Sequence, residues 1–179
     1  MLLFDYSGVK ALVGATVLSL ALSGCQVRPL YSDSAPNSAG VTTNSALNSV
    51  AVAPAYDRVA QEVRNHLIFG LSGGAGEPAS SAYTVDLGVT QQVLSVASAP
   101  VVGGNSTQPT AGSVVLTSLY LLKDASGQQI ASGKRTATVS FDRPIQQYAA
   151  LRALRDAENR AARELAEMLK LALAADLAK

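Results

Sequence analysis

Apolar residues recur with a strand-like spacing in four segments of the chain. They occupy every second position in residues 49–53 and 83–90, fill residues 114–122 almost continuously, and alternate with small polar residues over 130–141. A period of two is typical of a half-buried strand, whereas a continuous apolar run is typical of a central strand covered at least in part on both faces. The pattern therefore predicts four strands.

In the second of these segments the alternation of apolar and polar positions shifts by one residue. Beyond Gln91 and Gln92 the apolar positions move to Leu94 and Val96. An extra residue in one strand of a ladder produces such a change, so we predict a β-bulge near residues 91–93.

Turn-forming residues separate the later strands. Residues 100–112 are rich in Gly, Asn, Thr and Pro and predict a long loop. Residues 124–127 (DASG) predict a hairpin turn between the third and fourth strands.

Two other segments carry apolar residues at helical spacing. The first begins after Asp57, a favourable N-cap residue, and places Val59, Val63 and Leu67 on one side. It ends before Gly73, which adopts the left-handed conformation of a helix end without strain. We therefore predict a short amphipathic helix between the first and second strands.

The second helix opens at Pro144 and runs for about 32 residues, which corresponds to roughly 48 Å. Its apolar residues form one stripe, and its outer face carries charges of opposite sign four positions apart. We expect four ion pairs: Arg152 with Asp156, Asp156 with Arg160, Arg160 with Glu164, and Arg163 with Glu167.

The predicted order is strand, helix, strand, strand, strand, helix. A helical crossover makes the first two strands parallel, and short turns make the last three an antiparallel meander. We therefore predict a two-layer α+β domain, a four-stranded mixed sheet with both helices packed on one face. The other face is left bare, and the alternation places six polar residues on it: Thr84, Asp86, Thr90, Thr136, Thr138 and Ser140.

The N-terminal region has a different character. Residues 22–25 (LSGC) close an apolar run over residues 11–22 that follows the single basic residue Lys10. A cysteine directly after Leu-Ser-Gly resembles the lipobox of bacterial lipoproteins, so we predict a signal peptide over residues 1–24 and lipidation of Cys25. The alternatives are a coincidental cysteine and a transmembrane anchor, for which the run is shorter than the roughly 18 residues needed.

A lipid-modified N-terminus would hold the mature protein on a membrane. Residues 25–48 are then the lipidated N-terminus and a flexible tether, because residues 32–49 are rich in Ser, Asn, Ala and Thr and lack periodicity. Residues 49–179 are predicted to form one domain.

Composition limits the function classes. The formal net charge is +1, which argues against a nucleic-acid partner. Cys25 is the only cysteine and His66 the only histidine, so the sequence offers no disulfide and no set of metal ligands. No phosphate-binding loop, nucleophile elbow or paired-carboxylate motif is present. We therefore predict a protein that is not an enzyme and has no cofactor.

Lys134 and Arg135 form the one basic pair on a strand. Adjacent strand residues point to opposite faces, so Arg135 falls among the apolar residues of that strand. It must then extend past the strand end or meet an anion, and a structural placement and a ligand-binding role both remain open.

Three stretches resemble the lipopolysaccharide-assembly lipoproteins of the LptE type, especially those of alphaproteobacteria. Residues 25–31 (CQVRPLY) are similar to the family's Cys-Gly-Phe-x-Pro-Leu-Tyr, from which Gln26 and Val27 depart. Residues 57–67 (DRVAQEVRNHL) resemble its Arg-x-x-Gln-x-x-Arg-Asn-x-Leu helix. Residues 148–158 (YAALRALRDAE) resemble its Tyr-Ala-x-x-x-Ala-x-x-Asp-Ala-Glu helix.

This resemblance implies a two-helix, four-strand domain that plugs the lumen of the outer-membrane barrel LptD and assists lipopolysaccharide assembly. It implies LptD and lipopolysaccharide as partners, with anchoring to the outer membrane on the periplasmic side or in the barrel lumen. Lys134 and Arg135 would suit the phosphates of lipopolysaccharide, and the six polar residues of the bare face would contact the barrel. The alternatives are an auxiliary lipoprotein of an ABC-type lipid transport system and a lipid-anchored enzyme.

Overall fold

The part of the chain that the computed structural model describes, residues 40–100 and 107–178, contains three helices and four strands. In chain order they are α1 (Thr43–Asn48), β1 (Val50–Val52), α2 (Arg58–Ser72), β2 (Tyr83–Pro100), β3 (Thr107–Asp124), β4 (Gln129–Asp142) and α3 (Gln147–Leu177). No helix within these ranges is both long and apolar enough to cross a membrane.

The strands form one sheet in the order β1-β2-β3-β4. The first pair is parallel and the other two pairs are antiparallel, as expected for a helical crossover followed by a meander. Helices α2 and α3 pack on one face, which we call the inner face. The predicted α+β fold with a mixed sheet and two helices on one face is confirmed.

Helices α2 and α3 lie side by side and run in the same direction. The Arg58 guanidinium at the start of α2 donates a hydrogen bond to Asn159 of α3 (3.1 Å), and Gly70 near the end of α2 meets the side chain of Lys170. Small residues let α3 approach its neighbours closely. Those that are almost fully buried are Ala157, Ala161, Ala162 and Ala166.

The ends of α2 follow the predicted chemistry. The Asp57 carboxylate accepts hydrogen bonds from the backbone N–H groups of Val59 (3.0 Å) and Ala60 (3.4 Å). Gly73 ends the helix with φ of +61°, the left-handed conformation that favours glycine. Both caps are confirmed.

The bulge predicted near residues 91–93 is wrong. The register between β2 and β3 is continuous from Gln91 to Ser95, and it shifts only on either side of Ala97. Val93 and Leu94 are 42% and 48% exposed, so neither face of this part of β2 is fully covered. Without a buried face, the side-chain pattern does not report the register.

The loop predicted over residues 100–112 is wrong in part. Residues 107–112 belong to β3 and pair with the end of β2, while residues 101–106 lie outside the described part of the chain. Backbone pairing with β2 holds these residues in a strand although their composition is typical of a turn. Together β2 and β3 form a hairpin of two 18-residue strands.

The flexible tether predicted up to residue 48 is also wrong in part. Helix α1 lies within it, begins where the Thr42 hydroxyl accepts a hydrogen bond from the N–H of Ser45, and contacts both α2 and α3. Ala46 and Leu47 are each 1% exposed. Burial of these two side chains makes α1 part of the domain, and Cys25, the predicted lipidation site, lies outside the described residues.

We predict that Leu47→Ala destabilises the domain by about 2 to 5 kcal/mol, because truncating a buried leucine loses burial and leaves a cavity. Thermal or urea unfolding of the purified mature domain measures this loss. Ser45→Ala, on the exposed side of α1, is the control and should change stability little. Equal stability of wild type and Leu47→Ala would mean that α1 is dispensable for folding.

Candidate functional site

The two faces of the sheet have different surroundings. On the inner face, β3 buries alternate residues against the helices, including Val114, Leu116 and Leu122, each 0% exposed. No helix among the described residues covers the opposite face, and most of its side chains are exposed or half-buried. We call this second surface the open face.

The register brings the six predicted polar residues onto the open face. Those on β2 and those on β4 are separated by β3, and all are exposed except Thr84 and Asp86, which are half-buried. The β2 residues are Thr84, Asp86 and Thr90, and the β4 residues are Thr136, Thr138 and Ser140. Their predicted common placement is confirmed.

A row of three threonines crosses the middle of the open face. Thr90 and Thr136 lie on either side of Thr117 in the register. The Thr90 hydroxyl donates a long hydrogen bond to the Thr117 carbonyl (3.4 Å), and the hydroxyls of Thr117 and Thr136 lie 3.1 Å apart. This row presents short hydroxyl side chains to solvent, so another backbone could approach it closely.

Two leucines interrupt this polar surface. Leu119 is 59% exposed and lies between Gly88 of β2 and Lys134 of β4. Leu121, one step along the same face, is 40% exposed and lies next to Asp86. The open face therefore has an apolar patch toward the β3–β4 turn, which sequence reasoning missed because residues 114–122 are almost continuously apolar and do not mark which side faces out.

Charges at one end of the open face are paired. The Lys123 ammonium donates to the Asp86 carboxylate at 2.5 Å, and both side chains are more than a third exposed. Such a pair contributes little to stability. It does neutralise this end of the surface, whereas Lys134 has no acidic partner within the described residues.

Lys134 and Arg135 lie on opposite faces, as adjacent strand residues do. The Arg135 guanidinium lies over the ring of Tyr120, 6.0 Å from its centroid, and donates to the Lys134 carbonyl (2.8 Å). The structure thus gives Arg135 an inner-face location among the apolar residues, as predicted. The two cations do not form one binding site.

Contacts with α3 and with β4 hold the side chain of Tyr120 in place. Its hydroxyl donates to the Asp176 carboxylate of α3 (2.8 Å), and burial together with this contact raises the pKa of Tyr120 to about 12. Gly133 of β4 lies against the ring, where an added Cβ would be 2.7 Å from the nearest ring atom. Arg135 therefore belongs to a structural cluster that joins the sheet to the end of α3.

His66 is half-buried on α2, which fits a position at the edge of the core. Across residues 40–100 and 107–178, no group of three or more His, Cys, Asp or Glu side chains is arranged to hold a metal ion.

A family model covers most of this fold. The model for LptE, described as lipopolysaccharide-assembly, matches residues 47–173, more than half of the chain. This chain belongs to the LptE family. The match extends from α1 to the last turns of α3 and includes all four strands.

Solved structures share the LptE fold seen here. A lipoprotein from Caulobacter crescentus CB15 superposes with a TM-score of 0.62 at 27% identity, covering 76% of this chain and 96% of that one. The rare lipoprotein B from Shewanella oneidensis has a TM-score of 0.51 at 10% identity, covering 71% and 92%, which supports the fold alone. No curated protein matches the chain.

The helical stretches that resemble LptE proteins hold this fold together. Arg64 donates from Nε to the carbonyls of Val52 (3.2 Å) and Ala53 (3.1 Å), and from Nη2 to both carboxylate oxygens of Glu77 (2.8 and 2.9 Å). It thereby joins α2 to the end of β1 and to the following loop. Arg64 therefore has a structural role.

Glu158, from the other helical stretch, connects three elements. Its carboxylate pairs with Arg58 of α2 and accepts a hydrogen bond from the side-chain amide of Gln91 on β2 (2.7 Å). This contact fixes the start of α2 against both α3 and the sheet.

Proposed function

We propose that this protein is an outer-membrane lipoprotein whose domain occupies the lumen of the barrel LptD and assists lipopolysaccharide assembly there. A role in lipopolysaccharide assembly follows from membership of the LptE family, whose members are lipoproteins of the Gram-negative envelope. The barrel partner and the position within it are the proposal. The domain acts in this proposal as an assembly partner and not as a catalyst.

The open face is the observation that carries this proposal. An exposed apolar patch, Leu119 and Leu121, lies beside the row of threonines and among polar residues of β2 and β4 on the uncovered sheet face. Contiguous apolar surface rimmed by polar residues marks a protein interaction site. Large membrane barrels have polar interiors, and barrels of about 22 strands are wide enough to be plugged. Short hydroxyl side chains suit close contact with such a wall.

We predict that the double variant Thr136→Glu/Thr138→Glu recovers much less LptD in affinity purification and weakens the outer-membrane permeability barrier. Both positions are exposed, so the isolated domain should keep nearly the same melting temperature, whereas added bulk and charge would disrupt a close-packed contact. The size-conserving variant Thr136→Ser/Thr138→Ser is the control.

Normal barrel recovery by the glutamate variant would remove this part of the open face from the interface. Recovery of inner-membrane permease proteins by the wild type, with no barrel, would instead favour an auxiliary role in an ABC-type lipid transport system.

The lipid anchor is proposed at Cys25, on the basis of the Leu-Ser-Gly-Cys sequence. Cys25→Ser should give an unprocessed or soluble protein that no longer incorporates labelled fatty acid. The chain has no second cysteine that could accept the lipid. Unchanged labelling in this variant would contradict the anchor.

Lys134 is the residue of the basic pair that we propose contacts a lipopolysaccharide phosphate. It projects from the open face without an acidic partner among the described residues, whereas Arg135 is held against Tyr120 on the inner face. The open face therefore offers one cation to an acidic headgroup, beside the exposed Leu119.

We predict that Lys134→Ala weakens lipopolysaccharide binding about tenfold or more, because a charge-assisted hydrogen bond contributes about 1.5 to 3 kcal/mol. Titration of the purified domain with lipopolysaccharide measures the change. Arg135→Ala is the matched comparison. It should lower the melting temperature through the lost contact with Tyr120 and leave binding nearly unchanged. The reverse outcome would assign the ligand to Arg135.

A further inference from the structure

The two long helices differ in length, and this difference leaves part of the inner face uncovered. Helix α2 has 15 residues and α3 has 31, and they lie side by side from the level of Arg58 and Glu158 to that of Gly70 and Lys170. Residues 147–157 of α3 therefore extend past the start of α2. At 1.5 Å per residue this overhang is about 16 Å, or three helical turns.

The sheet below the overhang is exposed where α2 no longer reaches. On the inner face of β2, Val85 lies under α2 and is 0% exposed, whereas Val93 is 42% exposed. The side chain of Gln91 meets Glu158 at the boundary between these two regions. Beyond it, no described element continues the path of α2 along α3, and a groove remains between α3 and β2 in the described part of the chain.

The first turns of α3 form the wall of this groove. The side of α3 that lines the groove is the same side that contacts α2 in the later turns of the helix. In an α-helix, residues seven apart lie on nearly the same side. Leu151 stands seven residues before Glu158, and Tyr148 stands fourteen residues before the buried Ala162. Leu151 is 55% exposed and Tyr148 is 73% exposed. The apolar stripe of α3 thus continues beyond the helix that covers it.

The rim of the groove is basic. Arg152 and Arg155 lie beside Tyr148 and Leu151 and have no acidic partner within the described ranges. The ion pair predicted between Arg152 and Asp156 is absent there, because Asp156 accepts instead from the Nε of Arg160 (2.8 Å). The two arginines therefore leave a positive charge next to exposed apolar side chains.

We propose that this groove receives an amphipathic helix of a partner protein, about three turns long, with apolar residues on one side and acidic residues beside them. The groove can seat a helix because β2 and α3, which both contact α2, continue into it, whereas β1 ends before it and leaves its outer side open. Val93, Leu151 and Tyr148 contact the apolar side of the guest helix. Its carboxylates pair with Arg152 and Arg155.

This site lies on the helix face of the domain, on the opposite side of the sheet from the open face. It does not depend on the barrel contact proposed above. Variants at Thr136 and Thr138 leave the groove intact, and variants in the groove leave the open face intact. Failure of one proposal is therefore distinguishable from failure of the other.

A photo-crosslinking residue placed at Leu151 of the full chain in native cell envelopes tests the proposal. Irradiation should give an adduct whose partner peptide, mapped by mass spectrometry, has apolar residues at helical spacing and adjacent acidic residues. The charge-reversal variant Arg152→Glu/Arg155→Glu should lower the yield of this adduct about tenfold or more. Arg163→Glu, an exposed arginine of the same helix outside the groove, is the control and should leave it unchanged.

The proposal is overturned if the adduct forms only with lipid, with a second copy of this chain or with a barrel strand. An adduct that is insensitive to charge reversal, or no adduct, overturns it as well. The same residue placed at Tyr148 repeats the test from the next turn of α3. Circular dichroism of each purified variant verifies that it is folded.

Discussion

A single layer of helices packs on a sheet that is larger than the layer. The parts of the sheet that the helices do not cover form the open face and the groove. Strands β2 and β3 have 18 residues each, about 61 Å when extended, whereas α3 spans about 46 Å and α2 about 22 Å. The helices bury the inner face of β3 and β4, from Leu122 near the β3–β4 turn to Phe141 near the far end of β4. They leave the other face open, and they leave the inner face of β2 uncovered toward the far end of the hairpin.

The close packing of this one layer depends on small residues. The alanines at 157, 161, 162 and 166 of α3 are almost fully buried, so the helix lies close to both its neighbour and the sheet. Farther along, the leucines at 165, 169 and 173 fill the core where the layer is widest. These residues of α3 pack in one core with Leu47 of α1, with Val63 and Leu67 of α2 and with the inner face of the sheet.

Some of the charged residues join elements of the fold, and others are exposed on the surfaces that the helices leave uncovered. Arg58, Arg64 and Arg135 are engaged by a glutamate, by backbone carbonyls or by an aromatic ring, and each joins separate elements of the fold. Lys134 on the open face and the two arginines beside the groove have no such engagement in the described part of the chain. These cations are the residues that we propose contact acidic groups of a ligand or partner.

Sequence patterns predicted the features that depend on a residue's own chemistry. They did not predict the features that depend on which other elements pack over a residue. The caps at Asp57 and Gly73 and the alternation of β4 were predictable, and with them the polar part of the open face. The outward position of Leu119 was not, because its run is apolar on both sides. Residues 107–112 and the helix around Leu47 were missed because backbone pairing and tertiary burial override a composition that is typical of loops.

The central claim is that the open face contacts the wall of a barrel. A photo-crosslinking residue at Thr138, irradiated in native envelopes, tests it most directly, because this side chain is exposed on β4 and no described element lies over it. The account predicts an adduct with LptD that maps to a strand facing the barrel lumen. An adduct only with periplasmic or inner-membrane proteins, or none while LptD is present in the same membranes, would contradict it.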